Sequence, residues 1–142
     1  MTIAAILEGK PRDIVSVEAG TRVRDAVALL AERKIGALPV LDGERVVGIM
    51  SERDVIYCLA SDGAAMLEWP VSRVMTAPAI TIESKVSALA ALSQMTRRRI
   101  RHLPVVDGEK LVGFVSIGDL VAWRISMIEQ EAEAMRAYIQ SA

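Results

Sequence analysis

The sequence predicts a mixed fold of the α/β class (α+β), made of two β-α-β-β-α repeats and a long C-terminal helix. The main observation is an internal repeat: residues 36–54 align without a gap with residues 101–119, and ten of the nineteen positions are identical. A repeat of this length indicates one supersecondary unit used twice. In a chain of 142 residues, two units of roughly 60 residues would each be marginal alone, so we expect them to share one core.

Each copy shows the same order of elements. A short strand, predicted at residues 14–17 and again at 80–82, precedes a helix that spans about residues 21–34 in the first copy. Apolar residues of this helix recur at i, i+3, i+4 and i+7, the spacing of one helical face. They are Val23, Ala26, Val27 and Leu30 in the first copy and Ala88, Ala91, Leu92 and Met95 in the second.

A hairpin follows each of these helices and leads into another helix. Asp-Gly pairs at residues 42–43 and 107–108 predict tight turns, because glycine tolerates the positive φ that such turns require. Ser51 and Ser116 stand at the predicted helix starts, where a serine side chain can accept a hydrogen bond from a free amide.

The domain organisation follows from the repeat. We assign residues 1–62 to repeat 1, residues 63–70 to a connector, residues 71–126 to repeat 2 and residues 127–142 to a C-terminal helical extension. Residues 2–7 predict a short amphipathic helix that caps the first copy. Its apolar spacing returns ahead of the second copy, as Ile3, Ile6 and Leu7 are followed by Val71, Val74 and Met75.

The long terminal helix is predicted to run from about residue 117 to residue 139. It carries an apolar stripe with spacings of three and four, formed by Ile125, Ile128, Ala132, Met135 and Ile139. Such a stripe needs a partner surface. Two readings stay open from the sequence: the helix folds back on its own domain, or it contributes to a dimer.

The bulk composition narrows the function classes. The net charge of −1 gives no general attraction to nucleic acid or to an anionic membrane, so an anion site has to be local. A single cysteine, Cys58, excludes an internal disulfide and fits a reducing cytoplasm; its apolar neighbours predict a buried, inert thiol. The N-terminus lacks the features of a signal peptide, and we expect a cytoplasmic protein without membrane contact.

The stretch from residue 97 to residue 119 has the chemistry of a nucleotide site. It sets arginines beside a hairpin that ends in a hydroxyl, Ser116, and a carboxylate, Asp119. A carboxylate accepts hydrogen bonds from a ribose diol, and arginine offers a planar fork to phosphate. The plainer alternative is that the serines and aspartates only cap helices.

The motifs resemble a known family. The Leu-Pro-Val run, the Asp-Gly turn, and Gly-apolar-apolar-Ser followed after two residues by Asp resemble the cystathionine β-synthase (CBS) domain, and two copies in tandem resemble a CBS pair, or Bateman module. The run RRRIRHLPV is similar to the second copy of small stand-alone bacterial CBS-pair proteins. We expect no appended catalytic or DNA-binding domain.

This resemblance implies a non-catalytic regulatory or sensor module. It implies two repeats packed through their sheets about a pseudo-two-fold axis, with two clefts that commonly take AMP, ADP, ATP, S-adenosylmethionine or NAD(H). AMP is the ligand we expect first. The resemblance also implies a homodimer and leaves the regulated protein unnamed.

The resemblance further implies a role for each matching residue. Asp54 and Asp119 would bind ribose hydroxyls, and Ser51 and Ser116 would lie beside ribose or phosphate. The phosphate would contact Arg101 and His102. The adenine would lie against Pro78, Ile80, Thr81 and Val105.

The two clefts are predicted to be unequal. Residues 36–37 are Gly-Ala where residues 101–102 are Arg-His, so the first copy lacks these cations beside its own Asp54. Lys34 or Arg53 could replace them from nearby. We therefore predict that the second-copy motif, with Asp119, makes the stronger phosphate site.

Other function classes have less support in the sequence. An enzyme is not expected, because no nucleophile elbow, phosphate-cradling glycine loop or nucleophile-base pair is present. His102 is the only histidine and lacks acidic or cysteine neighbours at ligand spacing, so no metal site is expected. The rival class is a nucleic-acid module using the Arg97 to Arg101 cluster. It is disfavoured by an aromatic content of only 4%, since single-strand binders use aromatic platforms.

Overall fold

The computed structural model describes residues 1–141 and confirms a mixed α and β fold with two similar halves. The first half contains α1 (Ile3–Glu8), β1 (Val17–Glu18), α2 (Val23–Arg33), β2 (Ala37–Asp42), β3 (Arg45–Ser51) and α3 (Glu52–Asp62). Two short 3₁₀ turns, Ala64–Glu68 and Val71–Arg73, lead to the second half. That half contains α4 (Ala88–Arg98), β4 (His102–Asp107), β5 (Lys110–Ser116) and α5 (Ile117–Ser141).

The predicted hairpins are confirmed in both halves. Strands β2 and β3 pair in antiparallel fashion, as do β4 and β5, and the register of each hairpin shifts directly after the Leu-Pro-Val run. The turn glycines Gly43 and Gly108 have φ values of 65° and 64°. The predicted first strand is shorter than expected. In the first half, β1 pairs with β2 in parallel. In the second half, the equivalent segment forms a single parallel bridge, from Ile82 to Val105.

Two hydrophobic cores correspond to the two halves, so the expectation of one shared core is wrong. The first contains Val23, Ala26 and Leu30 of α2 with strand residues that include Val40 and Met50. The second core is built from the equivalent helix and strands. It contains Ala88, Ala91, Met95, Leu103, Val105, Val115 and Leu120. The helical faces predicted from the periodicity are therefore the buried faces.

The lead-in segments are exchanged between the halves, so the prediction that α1 caps the first copy is wrong. Ile3 is fully buried in the second core, and its amide donates to the carbonyl of Val86 at 2.9 Å. In the equivalent arrangement of the other half, Val71 is buried in the first core and its amide donates to the carbonyl of Thr21 at 2.7 Å. Each lead-in segment therefore packs on the core of the half that it does not precede in the sequence.

Two glycines make this exchange possible. Gly48 and Gly113 are aligned positions, and an ideal Cβ at Gly113 would lie 2.5 Å from Leu7 Cδ2. At Gly48 the Cβ would lie 2.6 Å from Met75 Sδ and 2.8 Å from the carbonyl oxygen of Thr76. The missing side chains therefore leave room for the crossing segments.

Gly48→Ala is expected to destabilise the fold by about 1 to 3 kcal/mol, because the added methyl group meets backbone that cannot move away easily. Chemical denaturation measures the change. Gly20→Ala is the matched control, since a Cβ at Gly20 meets nothing within 4 Å. Equal losses for the two variants would contradict close packing of the Met75 segment on β3.

Helix α5 extends away from its own half. It starts within the second core at Leu120, but its later part is exposed, with Ile125, Ile128 and Met135 at 52%, 48% and 60% exposure. The reading in which the terminal helix folds back on its own domain is therefore wrong. The apolar stripe is an open surface in the single chain.

Candidate functional site

A cleft of about 240 Å³ lies where the two halves meet. That volume is close to the lower end of the roughly 300 to 1,000 Å³ typical of small-molecule sites. The crossing segment before the second half forms one wall, and the beginning of α3 forms another. The residues just before β4 close the cleft from the other half. Its lining residues are Gly36, Ile49, Ser51, Glu52, Arg53, Asp54, Thr76, Pro78, Ala79, Ile80, Arg99, Ile100, Arg101 and His102.

Asp54 is fixed at the floor of this cleft by a capping box at the start of α3. Its Oδ2 accepts from the Ser51 amide at 2.9 Å and from Ser51 Oγ at 3.1 Å, while the Asp54 amide donates to Ser51 Oγ at 3.2 Å. Its Oδ1 accepts from Thr76 Oγ1 at 3.0 Å. A carboxylate offers about four lone-pair directions, so one remains for a ligand hydroxyl and another is available by displacing Thr76.

The charge of the cleft suits an anion. Three arginines line it, at positions 53, 99 and 101, against the two carboxylates of Glu52 and Asp54. Arg99 ends α4 in the left-handed conformation with φ 55°, and the exposed Arg101 follows two residues later. Two arginines of the α4–β4 connection therefore line the same cleft as Glu52 and Asp54, which belong to the other half.

An apolar wall stands beside these charges. Pro78, Ala79 and Ile80 come from the crossing segment, which is held against β3 by paired hydrogen bonds between Ile49 and Thr76 at 3.0 and 2.9 Å. Ile49 and Ile100 complete the apolar lining. The cleft can thus hold a flat apolar ring, a diol and an anionic group at the same time.

His102 lies at the boundary between the two halves. Its ring stacks on Phe114 with centroids 5.5 Å apart and planes 11° from parallel. Burial lowers the pKa of His102, and the cations Arg101 and Lys10 lower it further, against the opposing effect of the Asp119 and Glu52 carboxylates. With an ordinary value of about 6.5, the imidazole is neutral near pH 7.

The lowered pKa of His102 predicts a pH dependence of stability. The unfolded chain takes up this proton first as the pH falls through about 6.5, so the free energy of unfolding falls between pH 7 and the lower folded-state pKa. Thermal unfolding from pH 7.5 to 5.5 measures it. His102→Gln should flatten this part of the profile. An unchanged profile in that variant would contradict the assignment.

The second aspartate has a different environment. Asp119 forms the matching cap with Ser116, through bonds of 2.8 and 3.1 Å. Lys10, from the α1–β1 connection, donates to Asp119 Oδ2 at 2.6 Å and to the Phe114 carbonyl at 2.8 Å. Burial alone would raise the pKa of Asp119, but the bonds from Lys10 and Ser116 hold it below the ordinary value.

The cleft brings together seven of the twelve predicted site residues. They come from both halves of the fold. The seven are Ser51, Arg53, Asp54, Pro78, Ile80, Arg101 and His102. The predicted pairing of Arg101 with Asp119 in one cleft stays a prediction: Arg101 lines the cleft of Asp54, and Asp119 is not among the residues that line it. Ser116 and Asp119 lie on the Lys10 side.

Three other predicted residues also lie outside this cleft. Val105 is buried in the second core. Thr81 is exposed. Lys34 caps α2 and lines a separate apolar groove between α2 and α3.

Several residues that line the cleft were not predicted from the sequence. They are Gly36, Ile49, Glu52, Thr76, Ala79, Arg99 and Ile100. Arg99 was visible in the arginine run, but its aim into the cleft depends on the left-handed turn. Thr76 carried no signal, because its contact with Asp54 exists only through the exchange of lead-in segments.

The sequence profile of the CBS-domain family matches residues 11–61 and 71–126. The chain belongs to the CBS-domain family. A solved structure of a CBS-domain protein from Burkholderia ambifaria is 41% identical, with a TM-score of 0.83 over 89% of this chain and 95% of that one. The family carries the two-repeat architecture described above, and CBS pairs are in general regulatory modules.

Two further relatives are informative. The structure of the CBS protein CBSX2 in complex with AMP is 27% identical, with a TM-score of 0.76 over 89% of this chain and 97% of that one. The mitochondrial CBS-domain protein CBSX3 of Arabidopsis thaliana is 33% identical over 123 residues, which are 83% of this chain. The chain spans 60% of the length of CBSX3 and 33% of a relative from Thermofilum pendens.

The described part of the chain has three further features. Within residues 1–141, no helix has the length and apolar character needed to span a membrane. Over the same residues, no group of three or more potential metal ligands comes together. Cys58 is half-buried, and burial together with the Asp62 carboxylate raises the pKa of its thiol.

Proposed function

We propose that this CBS pair is a non-catalytic sensor that binds an adenosine nucleotide in the cleft that contains Asp54, with AMP the preferred ligand and ADP, ATP or NAD(H) as alternatives. The carrying observation is the combination of a fixed carboxylate, an apolar wall and three arginines in one cleft. The AMP complex of a CBS pair with the same architecture supports the choice of ligand.

The cleft suggests a role for each group. Asp54 accepts hydrogen bonds from the ribose hydroxyls, since its Oδ1 is held by a single exchangeable hydroxyl, that of Thr76. Pro78 and Ile80 flank the adenine. Arg101 and Arg99 bind the phosphate as charge-assisted donors. Because the bound nucleotide would touch both halves, occupancy would fix their relative arrangement, which a regulated partner could sense.

A thermal-shift panel tests the ligand class. AMP, ADP, ATP, NAD, NADH and S-adenosylmethionine are added at concentrations up to millimolar. A ligand at a hundred times its dissociation constant stabilises the folded state by about 2.7 kcal/mol, which is several degrees in a chain of this size. We expect the largest shift with AMP. A shift with another class of metabolite and none with adenosine compounds would contradict the proposal.

The nucleic-acid alternative is tested in the same panel. An oligonucleotide binder would show binding that falls steeply with salt, in proportion to the phosphates neutralised. We expect a short RNA to give no shift at physiological salt. Arg97 and Arg98 lie outside the cleft, so they would be free for such contacts if this expectation failed.

We further propose that the working unit is a homodimer in the cytoplasm, with the α5 stripe at its interface. The stripe is exposed over several turns, ending with Met135 at 60% and Ile139 at 65%. Exposed apolar patches of this size usually mark interfaces. The single cysteine remains the support for a reducing compartment.

Ile128→Asp is expected to shift the protein from dimer to monomer at micromolar concentration, because a charge would be buried in the apolar interface. Multi-angle light scattering gives the mass. Gln130→Asp is the matched control, since Gln130 is exposed and lies off the stripe. A monomeric mass for the unchanged chain would end the dimer proposal. An intact Ile128→Asp dimer would remove α5 from the interface.

A further inference from the structure

The two capping aspartates receive different donors from the crossing segments. At Asp54 the donor is the neutral hydroxyl of Thr76, at 3.0 Å from Oδ1. At Asp119 the donor is the ammonium group of Lys10, at 2.6 Å from Oδ2. The Lys10 nitrogen also donates to the Phe114 carbonyl at 2.8 Å. One aspartate is therefore open to exchange with a ligand hydroxyl, and the other is already neutralised.

The segment that carries Lys10 is built to reach this position. Leu7 and Met75 fill equivalent spaces beside Gly113 and Gly48. From Leu7 to Val17 the chain is three residues longer than from Met75 to Ile82, although Val17 and Ile82 occupy equivalent strand positions. The additional length lets the first crossing segment place a long side chain over the second cap, where the shorter one places Thr76 over the first.

The Lys10–Asp119 pair is sheltered from solvent. The two side chains are 33% and 26% exposed. The side chains of the other ion pairs in the described chain, such as Arg33–Asp13, are more exposed to solvent. Lys10 also has a second, carbonyl partner. A ribose diol that used both oxygens of the Asp119 carboxylate would have to displace the Lys10 ammonium from Oδ2.

The surroundings of Asp119 also differ in charge from those of Asp54. The positions aligned with Arg101 and His102 are Gly36 and Ala37, and among the positions aligned with the three arginines of the first cleft only Lys34 is a cation. Lys34 lines the separate groove between α2 and α3. A nucleotide that displaced Lys10 would therefore lack the partner that Arg101 supplies in the first cleft.

We infer that Lys10 blocks ligand binding at the Asp119 carboxylate, so that each chain takes one adenosine ligand, in the cleft of Asp54. This inference rests on the proposed function for the ligand class. It assigns to Lys10 the role of an internal plug that sets the stoichiometry. It predicts that removing the ammonium group exposes a second carboxylate for a ribose diol.

Calorimetric titration with AMP and with adenosine tests the inference. The unchanged chain is expected to bind one ligand per chain. Lys10→Met is expected to add one adenosine site per chain, at which AMP gains less over adenosine than in the Asp54 cleft, because Gly36 stands at the position aligned with Arg101. Lys10→Arg should retain one site. Lys110→Met is the matched control for the loss of a lysine at an exposed position, and thermal unfolding confirms that each variant is folded.

The outcomes separate the two proposals. Two sites per chain in the unchanged protein, or no added site in folded Lys10→Met, would overturn the role of Lys10. Loss of a site in Lys10→Met would also overturn it, because Lys10 would then be a ligand contact. No binding to the unchanged chain would overturn the proposed function. In that case an adenosine site that appears only in Lys10→Met would still support the plug.

Discussion

Asp54→Ala is expected to weaken AMP binding by about ten- to a hundredfold, whereas Asp119→Ala leaves it close to that of the unchanged chain. Hydrogen bonds to a charged group contribute roughly 1.5 to 3 kcal/mol, and tenfold in affinity corresponds to about 1.4 kcal/mol. Only Asp54 shares a cleft with Pro78, Ile80 and Arg101. Calorimetric titration with AMP and with adenosine measures both variants, and both ligands should be affected alike at Asp54.

The two aspartate variants are well matched as mutation and control. Each removes the carboxylate of a serine capping box, so each should lose a similar amount of stability, about 0.5 to 2 kcal/mol. Asp119→Ala loses the Lys10 ion pair in addition. If AMP binds more weakly to Asp54→Ala than to Asp119→Ala, general destabilisation therefore cannot be the cause. Loss of the tight site in Asp119→Ala with Asp54→Ala unaffected would reverse the assignment of the clefts.

Arg101→Ala is expected to lower AMP affinity by about ten- to a hundredfold and to leave adenosine affinity nearly unchanged. The reason is that one charge-assisted contact to the phosphate disappears while the ribose and ring contacts remain. Calorimetry with the two ligands measures the difference. Arg98→Ala serves as the control, because Arg98 is the last residue of α4, next to this connection, and lies outside the cleft.

The comparison between ligands is what makes this prediction decisive. Equal losses for AMP and adenosine in Arg101→Ala would indicate a structural role at the boundary between the halves. No loss for either ligand would move the phosphate to Arg99 or Arg53, the other arginines of the cleft. A similar loss in Arg98→Ala would indicate a general electrostatic effect.

Local features were predictable because their causes lie close together in the sequence. The turn glycines at 43 and 108 adopt the positive φ that the Asp-Gly pairs indicated. The cap at Ser51 forms with a residue three positions away. The buried faces of α2 and α4 follow from the 3.6-residue period, and the repeat fixed the number of units.

The exchange of the lead-in segments could not be predicted in the same way. Ile3 and Val71 are apolar residues ahead of two similar halves, and periodicity states that they are buried without stating which half receives them. The choice depends on tertiary packing, in which Leu7 enters the space at Gly113 and Met75 the space at Gly48. The glycines were visible in the alignment, but their partners were not.

The grouping of site residues depended on that exchange. Aligned motifs suggested that Arg101 serves the aspartate of its own copy, Asp119. In the fold, the crossing segment and the α4–β4 connection line one cleft with the start of α3, so Arg101 shares that cleft with Asp54. Lys10 had no motif to mark it, since its contact with Asp119 joins residues 109 positions apart.

An NMR titration of the full chain with AMP tests most directly whether the nucleotide occupies the Asp54 cleft. Backbone amides are assigned and followed to saturation. Saturable shifts are expected at the start of α3 and in residues 76–80 and 99–102, with the smallest changes around Lys10 and the start of α5. The central claim would be contradicted by the absence of saturable shifts, or by shifts centred on Lys10 and Asp119 while Asp54 stays unchanged.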